Sequence, residues 1–409
     1  MRHPVLNSLA AAAALTLALT LALLGGAAAQ DAVRADVGRP LQQAGDLIRA
    51  QKFKDALAKI HEADAVANKT ANESYMIERM RIAAASGAGD TETAAHSFEA
   101  VSARVSAAER LRMIESLAGA YYRAQNYAKA MQWGQRYFKE GGTSGSIRTL
   151  LIQSQYLGGD FAGAARELRT EIDQAERAGT PPGEDRVKLL VNATLKMNDI
   201  NGYVWALERL VTYYPKKEYW VDLLARLQRK PNFSDRLALD TYRLSLATGS
   251  MNAASDYMEM AQLALQAGYP AEAKQVVDKG FAANVLGQGG EAERHKRLRE
   301  LVAKRLDEDK RGQAAAIEEA QAAKDGTALV NAGLNLVFNG ETPKGLQLMQ
   351  QGIARGNLKR ADDAKLHLAI AQLIAGDHIK AQTTLRSVSG NDGTADLARL
   401  WALYAKRRG

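Results

Sequence analysis

Along most of this chain, apolar residues recur three and four positions apart, the interval that lines one face of an α-helix. Strand-like alternation is nearly absent. The pattern therefore predicts helix after helix, separated by short turns. One phrase returns repeatedly: a turn with Gly, Asn or Asp, an aromatic or apolar residue, two spacers, then a small residue opening a second helix. It reads "QKFKDALAKI" around Ala56, "QNYAKAMQWG" around Ala130 and "GDFAGAAREL" around Ala164. It reads "GYPAEAKQVV" around Ala273, "GETPKGLQLM" around Gly345 and "GDHIKAQTTL" around Ala381. Weaker copies fit near Ala95, Tyr203, Ala238 and Ala315.

The spacing of these marks defines a repeat. Ala130 and Ala164 are 34 residues apart, Gly345 and Ala381 are 36 apart, and Ala273 and Gly345 are 72 apart, two intervals. Twelve residues before each mark stands another small or apolar residue: Ala44, Ala118, Ile152, Ala261, Gly333 and Ala369. A small residue on each helix lets the two helices of a hairpin cross closely, and about 34 residues is the length of one such unit. "TADLARLWALYAKRR" at the end reads as a capping helix, which a stack of repeats needs over its last apolar face.

The pattern resembles the tetratricopeptide repeat, with a small residue on the first helix, Tyr or Leu three later, and Ala on the second. "ESLAGAYYRAQNYAKAMQWGQRYF" and "YMEMAQLALQAGYPAEAKQVVDKGF" are the best copies; the proline that closes such a repeat survives plainly only at Pro215. The resemblance implies an all-α, right-handed α-solenoid of about ten hairpins with a C-terminal capping helix. Residues 30–282 and 326–409 read as repeats, and 283–325 as a charged, degenerate repeat. The run from "YYPKKEYW" through "RLALDTYRLSLATG" to "AQLALQAGYPAEAKQVVDKGF" is similar to periplasmic repeat proteins of proteobacteria associated with TonB, ExbB and ExbD systems.

The first thirty residues do not fit this pattern. Arg2 and His3 precede an unbroken run of Ala, Leu and Thr from Leu9 to Leu24, then Gly-Gly-Ala-Ala-Ala and Gln30. This is the layout of a signal peptide, residues 1–29, cut after Ala29. The expected location is the periplasm; the alternative is an inner-membrane anchor left by an uncleaved signal. The absence of Cys excludes lipoprotein anchoring, disulfides, thiolate chemistry and Cys-ligated zinc. The net charge of +8 is modest for 409 residues and both signs are interspersed, which argues against a nucleic-acid partner.

No motif of catalysis stands out. The chain has no GxxxxGK[ST], HExxH or G-x-S-x-G, and no two of His61, His96, His295, His367 and His378 are four apart, as helical metal ligands would be. These histidines read as surface or helix-end residues, and no cofactor, metal or small-molecule substrate is expected. In the charged stretch Glu291 to Arg311, Leu298, Leu301, Val302 and Leu306 are expected to face the core. Glu293–Arg297 and Glu300–Lys304 form i, i+4 pairs on a solvated face.

Aromatic residues concentrate between Tyr203 and Tyr242, eight of the chain's 25 in 40 positions. Trp220 and Tyr213 are expected to pack, while Tyr214 and Tyr219 are candidate partner contacts, because tyrosine is enriched at interface hot spots. If Tyr203 marks its hairpin, Lys188, Asn192 and Lys196 fall four apart on one face of the first helix. Lys then Asn at that spacing resembles the carboxylate-gripping positions of some peptide-binding tetratricopeptide repeats. The reading is a non-enzymatic scaffold for a protein or peptide of the cell envelope, in a TonB-type complex. The alternatives are a scaffold for envelope assembly or polysaccharide export and, remotely, a glycan-cleaving solenoid with two carboxylates roughly 5 to 10 Å apart.

Overall fold

The computed structural model describes residues 33–406, so the expected signal peptide lies outside the described residues. Among the described residues there are twenty α-helices, two 3₁₀ turns and no strand. The expected all-α class holds. Contacts divide the chain into two units, with the boundary between Leu151 and Ile152, inside one helix.

The first unit holds α1 (Ala35–Arg49), α2 (Phe53–Asp64), α3 (Ala71–Ala88), α4 (Thr91–Val101), α5 (Ala107–Arg123), α6 (Tyr127–Lys139) and the start of α7 (Gly145–Leu157). The second continues with α8 (Phe161–Arg177), α9 (Glu184–Lys196), α10 (Ile200–Tyr213), α11 (Lys217–Gln228), α12 (Ala238–Thr248), α13 (Ala254–Gln266) and α14 (Pro270–Ala282). It ends with α15 (Ala292–Ala322), α16 (Thr327–Phe338), α17 (Thr342–Arg355), α18 (Ala361–Ile374), α19 (His378–Arg386) and α20 (Thr394–Lys406). From α1 to α6 and from α8 to α20 consecutive helices pack on one another, the arrangement of an α-solenoid.

One turn design builds the hairpins. Gln51, Gln125, Gly159, Asn198, Gly268, Gly340 and Gly376 have positive φ, and each stands five residues before a small or aromatic mark on the second helix. The left-handed residue ends the first helix, and the next N–H closes back on it, as in Asn126 N to Tyr121 O and Asp199 N to Thr194 O, both 2.9 Å. That next residue then caps the second helix: Asn126, Asp160, Asp199 and Asp377 each accept the N–H three residues on. One residue thus terminates a helix while its neighbour starts another, which explains the recurring Gly/Asn-Asp phrase.

The six marked pairs of small or apolar residues, from Ala44 with Ala56 to Ala369 with Ala381, are all buried. At α16/α17 the backbones come closest. A Cβ on Gly333 would lie 2.6 Å from the Gly345 carbonyl oxygen, and one on Gly345 2.5 Å from that of Gly333. Polar links then lace neighbouring hairpins about one repeat apart, such as Arg79–Glu109 and Arg110–Glu140, both 2.6 Å.

Four expectations about the charged stretch are corrected. Residues 292–322 form one 31-residue helix, not a degenerate hairpin. No Pro, Asn or Asp-Gly turn interrupts this stretch, and Gly312 is carried inside the helix; Ala315, expected at a hairpin mark, is exposed mid-helix. Leu301 is exposed as well, because the buried stripe is narrow, running through His295, Leu298, Val302, Leu306 and Ala320. Glu293 pairs with Lys296 at 2.7 Å instead of Arg297.

The expected capping helix does more than cover a last face. α20 packs on α18 and α19 and also on α10 and α12. Leu397, Leu400 and Trp401 enter the same apolar cluster as Leu207, Trp220 and Leu223. Links of long sequence separation close this seam: Lys230–Asp396 at 2.8 Å, Arg236–Asp363 at 3.2 Å, Arg236–Asp392 and Glu208–Arg399. The second unit is therefore not held by nearest neighbours alone.

Candidate binding face and charged cleft

The stretch Tyr213 to Trp220 is a packing seam. Trp220 is fully buried, as expected. The Tyr214 hydroxyl donates to the Pro182 carbonyl at 2.7 Å, that of Tyr213 to Glu176 at 3.2 Å, and that of Tyr219 to Glu184. Lys216 completes the tie to Glu184 at 2.6 Å. Lys216 and Tyr219 together hold the Glu184 carboxyl below its usual range. The rings of Tyr214 and Tyr219 pack against the core cluster. These two half-buried tyrosines, expected at a partner contact, thus use their hydroxyls to join the α10–α11 turn to the start of α9. The rest of the aromatic run is similarly engaged: Trp205 lies between the guanidiniums of Arg169 and Arg209, 4.2 and 3.6 Å from its ring centre.

The other predicted residues stand in the open. α9 buries Val187, Leu190, Ala193 and Thr194, and its acidic first turn, Glu184 and Asp185, suits the positive end of the helix dipole. The opposite face is left to solvent: Asp185, Lys188, Asn192, Leu195 and Lys196 are all exposed. Lys188 reaches Asp185 at 3.3 Å. Among the described residues, Asn192 and Lys196 have no side-chain hydrogen bond or ion pair. Leu195, Met197 and Ile200, at the hairpin tip, add exposed apolar surface.

At equivalent positions, α16 and part of α18 carry buried apolar residues. Counting from the hairpin marks, Val330, Leu334 and Phe338 of α16 and Leu366 and Ile370 of α18 correspond to Lys188, Asn192 and Lys196 of α9 and are buried, whereas Ile374 of α18 and Gln262 and Gln266 of α13 are exposed at matching positions. This face is closed along α16, closed only in part along α13 and α18, and open along α9.

A second feature escaped the sequence reading. Asp235, Arg236, Asp240, Arg243, Tyr269, Asn331 and His367 line a cleft of about 400 Å³ between α12, α13, α16 and α18. Its floor is charged. Asp240 and Arg243 are 4 and 5 % exposed and lie 2.6 Å apart, and Arg243 also holds buried Glu272 through two bonds of 2.7 and 2.6 Å. His367 Nε2 lies 3.1 Å from Asp240 Oδ1. Burial alone would raise the Asp240 carboxyl, but His367 and Arg243 hold it well below the usual carboxylate range. Burial likewise opposes the Arg243 charge, and Glu272 and Asp240 overcome it. His367 and His295 are thus interior rather than surface groups; His295 Nδ1 accepts the Gly287 N–H at 3.0 Å. Among the described residues no cluster of three or more His, Cys, Asp or Glu has the arrangement of a metal site.

No protein-family model matches this chain, and no curated protein matches it. Solved structures do match. Yeast Tom70 is 14% identical over 91% of this chain and 96% of its own, with a TM-score of 0.25. The Naa15/Naa10 complex bound to HypK gives 14% identity over 88% of this chain and 60% of that one, with a TM-score of 0.33. The TPR2AB domain of yeast Sti1, in a complex with an HSP90 peptide, gives 12% over 73% and 99%, with a TM-score of 0.23.

Proposed function

We propose that this chain is a non-enzymatic, tetratricopeptide-like scaffold of the periplasm, and that the open face of α9 holds a segment of a cell-envelope protein. The observation that carries this reading is the contrast between helices. Lys188, Asn192 and Lys196 are all exposed, where α16 buries Val330, Leu334 and Phe338 and α18 buries Leu366 and Ile370 at matching positions. Lys supplies charge to a partner carboxylate and Asn can bond a peptide backbone. The periplasmic address is supported by the signal-like Leu9 to Leu24 run and the lack of Cys. No described helix is long and apolar enough to cross a membrane. The non-enzymatic reading is supported by the cleft, where both oxygens of Asp240 are engaged by Arg243 and His367. The TonB, ExbB and ExbD system is the partner complex this reading names first.

A crosslinked pull-down from native envelope extract, read by mass spectrometry, tests it. Wild type should enrich TonB, ExbB or ExbD, and the variant carrying Lys188→Ala, Asn192→Ala and Lys196→Ala should lose them. Enrichment of export or assembly machinery instead would replace the energy-transduction assignment. Equal capture by the variant would remove the α9 face.

A further inference from the structure

The charged cleft is distinct from the α9 face and has the makings of a second site. Its lining sets two carboxylates, Asp235 and Asp240, against two guanidiniums, Arg236 and Arg243. Each guanidinium already holds two carboxylates: Arg243 those of Asp240 and Glu272, Arg236 those of Asp363 and Asp392. A charged ligand thus meets walls of no net sign and gains little from them.

Hydrogen bonding, unlike charge, is left incomplete. Tyr269 is 5 % exposed and lines the cavity, yet its hydroxyl has no hydrogen-bond partner among the described residues. A hydroxyl so placed ordinarily finds one. Burial pushes this hydroxyl up to about 12, so it keeps its proton and can donate. Arg236, on the wall beside it, holds a second buried donor, Nη1, without a partner. At the mouth, the carboxylate of Asp235 and the amides of Gln266 and Asn331 are exposed and likewise unbonded among the described residues. These groups come from the turns before α12 and α14 and from α13 and α16, so tertiary packing brings them together. The cavity, about 400 Å³, lies within the range of small-ligand sites.

An apolar ligand would leave the Tyr269 and Arg236 donors stranded and would strip water from Asp235. Among the described residues the side chains also lack the three-ligand arrangement of a metal ion. A hydroxyl both donates and accepts, so a neutral ligand rich in hydroxyls can answer donors and acceptors at once. Leu239 and Leu263 add an apolar strip to the wall, against which the C–H face of a ring can lie. We propose that this cleft binds a neutral sugar, whose oxygens accept from Tyr269 Oη and Arg236 Nη1 and whose hydroxyls donate to the Asp235 carboxylate and to the amide oxygens of Gln266 and Asn331. The sugar is held and not cleaved, since both oxygens of Asp240 are engaged by Arg243 and His367. A free monosaccharide and the terminal residue of a glycan share this chemistry.

Calorimetric titration of the full chain with glucose, N-acetylglucosamine and maltotriose, and with agmatine and citrate as charged controls, tests the assignment. Saturable binding of a monosaccharide alone supports a free sugar, and binding of maltotriose at equal or higher affinity supports the end of a glycan. Tyr269→Phe keeps the ring packing on Phe338 and should weaken binding about fivefold. Asp235→Asn removes an exposed acceptor with no partner among the described residues and should weaken it about tenfold. The variant lacking Lys188, Asn192 and Lys196 should bind sugar like wild type, so the α9 reading and this one fail separately. The proposal is overturned if none of the three sugars binds, if agmatine or citrate binds more tightly than all of them, or if both single variants keep wild-type affinity.

Discussion

At the scale of residues, much of what looked like recognition chemistry is internal adhesion. Tyr214 and Tyr219 donate to groups 32 and 35 positions earlier, one repeat back. Tyr214→Phe and Tyr219→Phe should each cost about 1 kcal/mol of stability, the net worth of a hydrogen bond. Trp220→Ala should cost about 3–5 kcal/mol, because it empties a fully buried site. Urea denaturation of the three variants checks this order. Loss of Arg243 belongs to the same scale: Arg243→Ala strands Asp240 and Glu272 in the interior and should cost about 3–5 kcal/mol. In the first unit, Glu73 is buried against Arg34, whose guanidinium holds its carboxyl down to about 2. A depressed folded value means the stabilisation is present above the ordinary value near 4.5 and is lost as pH falls from there towards about 2. Acid unfolding followed by circular dichroism should show that loss in wild type, and a flatter profile in Glu73→Gln.

At the scale of elements, the sequence was readable wherever a local rule was repeated. Ala118 with Ala130 and Gly333 with Gly345 sit twelve apart because the turn is short and the helices cross near their small residues. That spacing survives even where side chains vary. Gly333→Ala should cost about 1–3 kcal/mol, since its new methyl meets the Gly345 carbonyl, and thermal melting measures it. α15 was misread because mixed charge hides an uninterrupted helix: the missing signal was a turn, and absence of a turn is easily overlooked in a repetitive chain. The face of α9 was legible from the same counting, since Lys188, Asn192 and Lys196 share one side. The role of Tyr214 and Tyr219 was not, because their acceptors come from another hairpin. The cleft was least legible. Asp240, Arg243 and His367 do interrupt apolar stripes, which was a usable signal, but their meeting depends on α18 returning to α12 across 127 residues.

At the scale of the whole molecule, the second unit departs from a stack held by neighbours only. α20 and the loop before it bind α10, α12 and the turn between α11 and α12, so the late hairpins complete the core that begins at α8. Removing residues from Thr394 onward should therefore destabilise helices far earlier in the chain, with hydrogen exchange rising in α10 and α12 as well as in α18 and α19. Along α9 the polar face stays open, while α16 and most of the matching positions of α18 hold buried apolar residues, and this contrast is the centre of the functional reading. A photocrosslinking residue at position 192, compared with one at position 297 on the exposed side of α15, tests it most directly in envelope extract. The account predicts a discrete partner adduct from position 192 and none from 297. Equal adducts from both positions, or an adduct from 297 alone, would contradict it.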